Sequence, residues 1–154
     1  MELTEKEFNL LSETEKRLYR RKQTKDGNRV LYGIAASKGV KNFDKFTNAG
    51  YRGLYGGETA DDIAKRKGLR YREDILDNMG SAELGANIFR ITQTEELLKK
   101  QQEENGGKAT DTHYIVGNAI RETIKKLGGT MPEELPTPNK SLKEIENKET
   151  QIIK

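Results

Sequence analysis

Asp111-Thr-His-Tyr-Ile-Val-Gly-Asn-Ala-Ile-Arg-Glu-Thr-Ile-Lys-Lys-Leu127 is the stretch whose reading decides the fold class. Within it Val116, Ala119, Ile120, Thr123 and Leu127 recur at the i, i+3, i+4, i+7 spacing that lines one face of an α-helix. The pattern predicts a helix starting near Asp111 or Thr112 and stopped by Gly128-Gly129. The preceding segment repeats the theme. Ser81-Ala-Glu-Leu84 starts a helix whose stripe is Leu84, Ile88, Ile91 and Leu98, with Phe89 beside it, before the polar linker Lys99–Lys108.

Outward from this pair the signals stay helical. Thr59-Ala-Asp-Asp62 caps a helix through Ile63 and Ala64 that Gly68 stops, and a brief helix with Ile75, Leu76 and Met79 ends at Gly80. Asn42 caps a short helix carrying Phe43 and Phe46, which Gly50 would close. Ser12-Glu-Thr-Glu15 is a capping box, and Phe8, Leu11 and Leu18 follow one stripe. Asp26-Gly27-Asn28 reads as a kink or turn before Val30, Leu31, Ile34 and Ala35 resume the spacing. Residues 4–38 are thus one long broken helix or a helical hairpin. All three prolines fall in Pro132–Pro138, an extended segment. Ser141-Leu-Lys-Glu144 caps a last short helix, and a frayed tail is expected over 147–154. No stretch alternates with period two. The chain reads as all-α, an irregular bundle of about six to seven helices in one domain, 1–146, with its helical core at 42–127 and a proline-containing segment at 128–146.

Composition narrows the function. Hydrophobic residues are 32% and charged residues 34% of 154, a thin core under a large solvated surface when globular chains average about 45–50% apolar, glycine included. Elongated helices or a dimer interface fits that balance, so a second copy of the chain, paired through the long N-terminal helix, is one expected partner. With no cysteine, disulfides and thiolate metal sites are excluded. Neither a secretory signal nor an apolar run of about 18 residues is present, so the expectation is a cytoplasmic protein with no membrane partner. The net charge of +3 is mildly basic.

No constellation for bond-making chemistry stands out. The one histidine, His113, lies in the first turn of its predicted helix, where a packed or capping role is the ordinary one. Asp61-Asp62 occupies the first turn of a helix and complements its dipole. We expect no cofactor, no metal and no enzyme. Gly50-Tyr-Arg-Gly-Leu-Tyr-Gly-Gly57, with four glycines in eight residues, lacks the Gly-Lys-Ser/Thr ending of a phosphate loop. Either its tyrosines and Leu54 tuck into the core, or Tyr51 and Tyr55 project as stacking platforms with Arg52 beside them. Thr59–Leu69 resembles the first half of a helix-turn-helix, but Glu73, Asp74 and Asp77 on the following helix would repel phosphates. Basic residues cluster at Arg17, Arg20, Arg21, Lys22 and Lys25 and again at Lys65, Arg66, Lys67, Arg70 and Arg72. Each cluster is either a salt-bridged solvated face or an electrostatic footprint for nucleic acid or an acidic partner.

Three blocks carry a resemblance. They are Gly50–Gly57 with Lys65-Arg-Lys-Gly-Leu69; Ile75-Leu-Asp-Asn-Met-Gly-Ser-Ala-Glu-Leu84 continuing through Asn87–Arg90 and Thr92–Glu96; and Thr112-His113, Val116-Gly117 and Leu127–Pro138. Together, over roughly residues 10–146, the chain resembles the C-terminal half of the bacterial DNA-damage-inducible protein D family. The resemblance implies a role in the DNA-damage (SOS) response, modulating RecA recombinase on single-stranded DNA without being an enzyme. Full-length members also carry a Bro-N-like domain resembling phage antirepressors, which has no counterpart here. The expected partner is therefore a recombinase filament, with single-stranded DNA as a further one. The alternative is a DNA-binding transcriptional regulator or antirepressor-like protein using the partial helix-turn-helix. The candidate contact residues are Tyr51, Arg52, Tyr55, Lys65, Arg66, Lys67, Arg70 and Arg72, with Arg17, Arg20 and Arg21.

Overall fold

In the computed structural model, which describes residues 3–70 and 73–146, the chain forms six α-helices: α1 (Glu5–Asn9), α2 (Glu13–Ser37), α3 (Phe43–Leu54), α4 (Ala60–Arg66), α5 (Ser81–Lys100) and α6 (Gly106–Lys126). Short 3-10 helices occupy Ile75–Asn78 and Pro132–Glu134, and residues 142–146 are again helical. No strand occurs among the described residues, so the fold is all-α. The expected frayed tail at 147–154 lies outside them.

The start signals at Ser12, Asn42 and Thr59 work as read, whereas α6 begins at Gly106 and not near Asp111 or Thr112. Ser12 and Thr59 each accept a bond from the backbone three residues on while Glu15 and Asp62 reach back, closing two capping boxes. Asn42 and Asn105 cap α3 and α6 through their side chains.

Helix continuity departs from the sequence reading at glycines. Asp26-Gly27-Asn28 is no turn: α2 runs through it unbroken. A Cβ on Gly27 would lie 3.1 Å from Ile91 Cγ2, so the glycine lets α2 and α5 pack closely. Likewise Gly50 does not end α3, which continues to Leu54. Built Cβ atoms at Gly50 and Gly53 would lie 2.2 Å from the His113 ring and 2.3 Å from Tyr114 O. These residues are bare because α6 occupies the space a side chain would need. Gly117 returns the favour, its built Cβ falling 2.7 Å from Gly50 O. The chain reverses only afterwards, at Gly56 and Gly57, which hold φ of 66° and 103°.

Contacts between elements set the directions. Gly39 meets Gly106, Gly50 meets His113 and Gly56 meets Arg121, so α3 and α6 run parallel. Arg20 meets Ser81, Gly27 meets Ile91 and Lys38 meets Gln101, so α2 and α5 are a second parallel pair. The α5–α6 turn makes those two helices antiparallel and joins the pairs. One apolar cluster holds Tyr51, Leu54, Tyr55, Ile63, Leu84 and Ile120; the other holds Leu31, Ala35, Phe46, Ile91, Leu98 and Ala109. The N-terminal helix expected to seek a second copy spends its buried residues, Arg17, Thr24, Leu31 and Ala35, within its own chain.

Candidate functional site

Arg17, Arg20 and Arg21 of the N-terminal basic cluster form an internal clamp and no phosphate footprint, while Lys22 and Lys25 stay exposed beside Asp26 and Asp74. Arg17 is buried and donates to three carbonyls: Met79 O at 3.0 Å, Asp77 O at 2.9 Å and Lys140 O at 3.1 Å. Arg20 donates to Ser81 O at 2.6 Å, with its guanidinium 4.5 Å from the Phe8 ring centre. Arg21 pairs with Asp77 at 2.7 Å and with Glu146. Together they hold α2 against the 75–81 segment and the C-terminal end, so their donors are committed.

Tyr51 and Tyr55 are likewise buried, and no stacking platform projects. Tyr55 starts a polar chain through the core. Its hydroxyl donates to Glu83 Oε2 at 2.5 Å and accepts from Asn87 Nδ2 at 3.0 Å. Burial, then the Glu83 charge, pushes its pKa well above 10. Glu83 also takes an ion pair from Lys67 at 2.8 Å, both side chains wholly inside, so Lys67 too leaves the surface cluster. Lys67 reaches on to Asn78 O and Thr137 Oγ1. In the other direction Asn87 Oδ1 accepts from Arg90 at 3.0 Å, and Arg90 lies 2.5 Å from His113 Nε2. A guanidinium can only donate. His113 Nε2 therefore accepts, and Nδ1–H donates to Phe46 O at 2.7 Å. Burial first and the Arg90 charge second lower its pKa to about 3, so the ring is neutral at physiological pH. Arg90 is itself fully buried over the Tyr51 ring, 4.9 Å away, and burial raises the Tyr51 pKa to about 12.

This network was missed in the sequence although its signal was present. Glu83, Asn87, Arg90 and Thr94 follow the same i, i+3, i+4 rhythm as Leu84, Ile91 and Leu98 and so share their buried face. His113, expected in a first turn, sits two turns inside α6 because that helix begins at Gly106. Among the described residues no group of three or more potential metal ligands converges, and no helix is long and apolar enough to cross a membrane.

Of the expected contact residues Arg52, Lys65, Arg66 and Arg70 remain on the surface; Arg72 lies outside the described residues. Arg66 is tied to Glu58 at 2.9 Å. Arg52 and Lys65 flank Asp62, whose carboxyl is held low first by its bonds to Thr59 and then by these cations. The partial helix-turn-helix does not form: after α4 the next described helical element is the single 3-10 turn Ile75–Asn78, whose Leu76, Asp77 and Asn78 are buried.

A different surface presents what the chain leaves uncovered. Phe89, Gln93 and Leu97 of α5 face Val116, Ala119 and Thr123 of α6 across a groove of about 390 Å³. A second groove of about 350 Å³ continues it past Ile124 to Leu127 and Leu135. Phe89 is 52% exposed, Leu97 45% and Leu127 81%. A contiguous apolar seam of this kind is the usual mark of a contact surface.

A family model, the DinD C-terminal domain, matches residues 11–145. The chain is 50% identical over 143 residues to DNA damage-inducible protein D of Escherichia coli (strain K12), a match covering 91% of this chain and 52% of that protein. The chain thus spans about half the length of the curated relative it matches. No solved structure matches it.

Proposed function

This chain belongs to the DinD C-terminal domain family, and from that premise we propose that it acts in the DNA-damage response as a non-catalytic binding module that modulates RecA-type recombinase filaments on single-stranded DNA. The observation that carries the reading is the apolar seam between α5 and α6, with Phe89 and Leu97 standing in solvent on a chain otherwise short of apolar residues. A hydrophobic groove between two antiparallel helices is the geometry that receives a partner's helix or loop. The Tyr55–Glu83–Lys67 and Arg90–His113 groups are locked inside and line neither groove of that seam, which supports a structural role for them.

The test is assembly of a RecA-type recombinase on oligothymidine, followed by light scattering with and without the intact chain. The wild-type chain should change filament mass or lifetime. Phe89→Glu combined with Leu97→Glu should abolish that change while the far-ultraviolet circular dichroism stays native. A wild-type chain in molar excess that leaves filaments untouched sinks the function. A double variant as active as wild type moves the contact away from the seam.

A further inference from the structure

The opposite edge of α6 carries a second surface, and we propose that it binds single-stranded DNA. Lys41, just ahead of α3, and Lys45 and Arg52 on it succeed one another at i, i+4 and i+11, one outward stripe of a helix. Tyr114, Asn118 and Lys125 on α6 follow at i, i+4 and i+11 and form a matching stripe. The helices touch between these stripes, because a Cβ on Gly53 would strike Tyr114 O and Asn118 N. All six residues therefore border one shallow trough, and all are exposed.

Among the described residues its cations stand outside ion pairs, with Asp62 near Arg52. Lys41, Lys45, Arg52 and Lys125 make no ion pair with any described residue, whereas Arg66, Lys67, Lys99 and Arg121 are all paired. Against them stand Asp111 at one end of the trough and Asp62 beyond Arg52. Arg121, held by Glu133 at 2.7 Å, adds a partly satisfied cation next to Gly56. Tyr114 is 45% exposed midway along.

The shape selects a strand over a duplex. A major groove about 12 Å across admits one helix about 10–12 Å in diameter, so a face built of two helices side by side does not enter it. Cations flanking an exposed aromatic suit a flexible backbone whose bases can stack on the ring. The choice of DNA over RNA rests on the DNA-damage reading above; the phosphate-binding face does not.

Fluorescence anisotropy with labelled oligothymidine tests this on the intact chain. With about four phosphates neutralised, affinity should fall about 50-fold between 50 and 200 mM salt. Lys45→Glu with Arg52→Glu should weaken binding at least tenfold and roughly halve the salt slope. Lys140→Glu with Lys143→Glu, an equal charge change at exposed positions elsewhere, should leave most of the affinity. Tyr114→Ala should cost about fivefold or more without changing the slope. No oligothymidine binding at 50 mM salt, equal losses in both charge reversals, or equal or tighter binding to a duplex or to oligouridine each overturns the proposal. The trough variants keep the seam intact. Loss of DNA binding with filament modulation retained would therefore separate this inference from the proposed function.

Discussion

Alanine at Gly53 and alanine at Gly33 should move stability in opposite directions, although both residues lie inside helices. At Gly53 the new Cβ would sit 2.3 Å from Tyr114 O and 2.8 Å from Asn118 N, both backbone atoms, where ordinary contact begins at 3.4 Å. Neither neighbour can rotate away, so α3 and α6 must part by about 1 Å. A gap of that size forfeits about a quarter to a half of each dispersion contact it opens. It opens them under Phe46, Tyr51 and Leu54, all buried in this interface. Overpacking of this kind costs about 1–3 kcal/mol, and the better helix propensity of alanine returns about 1. Because backbone must shift, the cost lies at the upper end of that range, about 3 kcal/mol, and the net loss is about 2 kcal/mol. At Gly33 no heavy atom lies within 4 Å of the built Cβ. There only the propensity term acts, a gain of about 0.5–1 kcal/mol. Urea unfolding followed at 222 nm measures both, with the two midpoints on either side of wild type. If Gly53→Ala unfolds within about 0.5 kcal/mol of wild type, a surface-level change, the close α3–α6 packing argued here is wrong.

The buried polar chain supplies further tests. His113 has its folded pKa lowered to about 3 from 6.5, so the folded state takes up this proton later than the unfolded one. Its contribution is whole above pH 6.5 and is lost as pH falls toward 3. Wild type should therefore lose about 2 kcal/mol more than His113→Gln between pH 6.5 and 5 in urea titrations, at about 1.4 kcal/mol per unit. Lys67→Met should cost about 3 kcal/mol by stranding Glu83, and adding Glu83→Gln should recover part of it in a thermal melt. Arg17→Met takes the donor from two buried carbonyls, Met79 O and Asp77 O, and from the part-buried Lys140 O, and should lower stability by about 2–3 kcal/mol, with oligothymidine affinity of the folded protein unchanged.

Legibility followed the range of the interactions. Caps at Ser12, Asn42 and Thr59 need only residues three apart, so those helix starts were readable, while α6 starts about one turn earlier than its pattern predicts. Gly27 and Gly50 misled because an isolated chain assigns glycine to turns, whereas here Ile91 and His113, far away in sequence, fill the space. The basic clusters misled for the same reason. Charge counts locate Arg17 and Lys67, but only the tertiary fold shows that Met79 O and Glu83 already satisfy them. Arg52 stays exposed, as one reading of its loop required, whereas nothing in the sequence set Tyr114 and Lys125 across from it. Nothing local says that α3 and α6 lie side by side and parallel.

The thin core and the exposed seam are two sides of one arrangement. A chain with 32% hydrophobic residues should hide every large one it has, yet Phe89, Leu97, Ile115 and Leu127 stand outside while Arg90, His113, Asn87, Glu83 and the Lys67 side chain stand inside. Burying those polar groups is tolerable only because each finds partners across elements: Phe46 O on α3, Lys67 after α4, Glu83 and Asn87 on α5, His113 on α6. A core built this way gains geometric definition from directional bonds and gives up dispersion and hydrophobic stabilisation. Folding alone would favour the reverse placement, with Phe89 or Ile115 inside and a lysine out. The outward placement is what a contact surface requires, and it is the reason the seam is read as one.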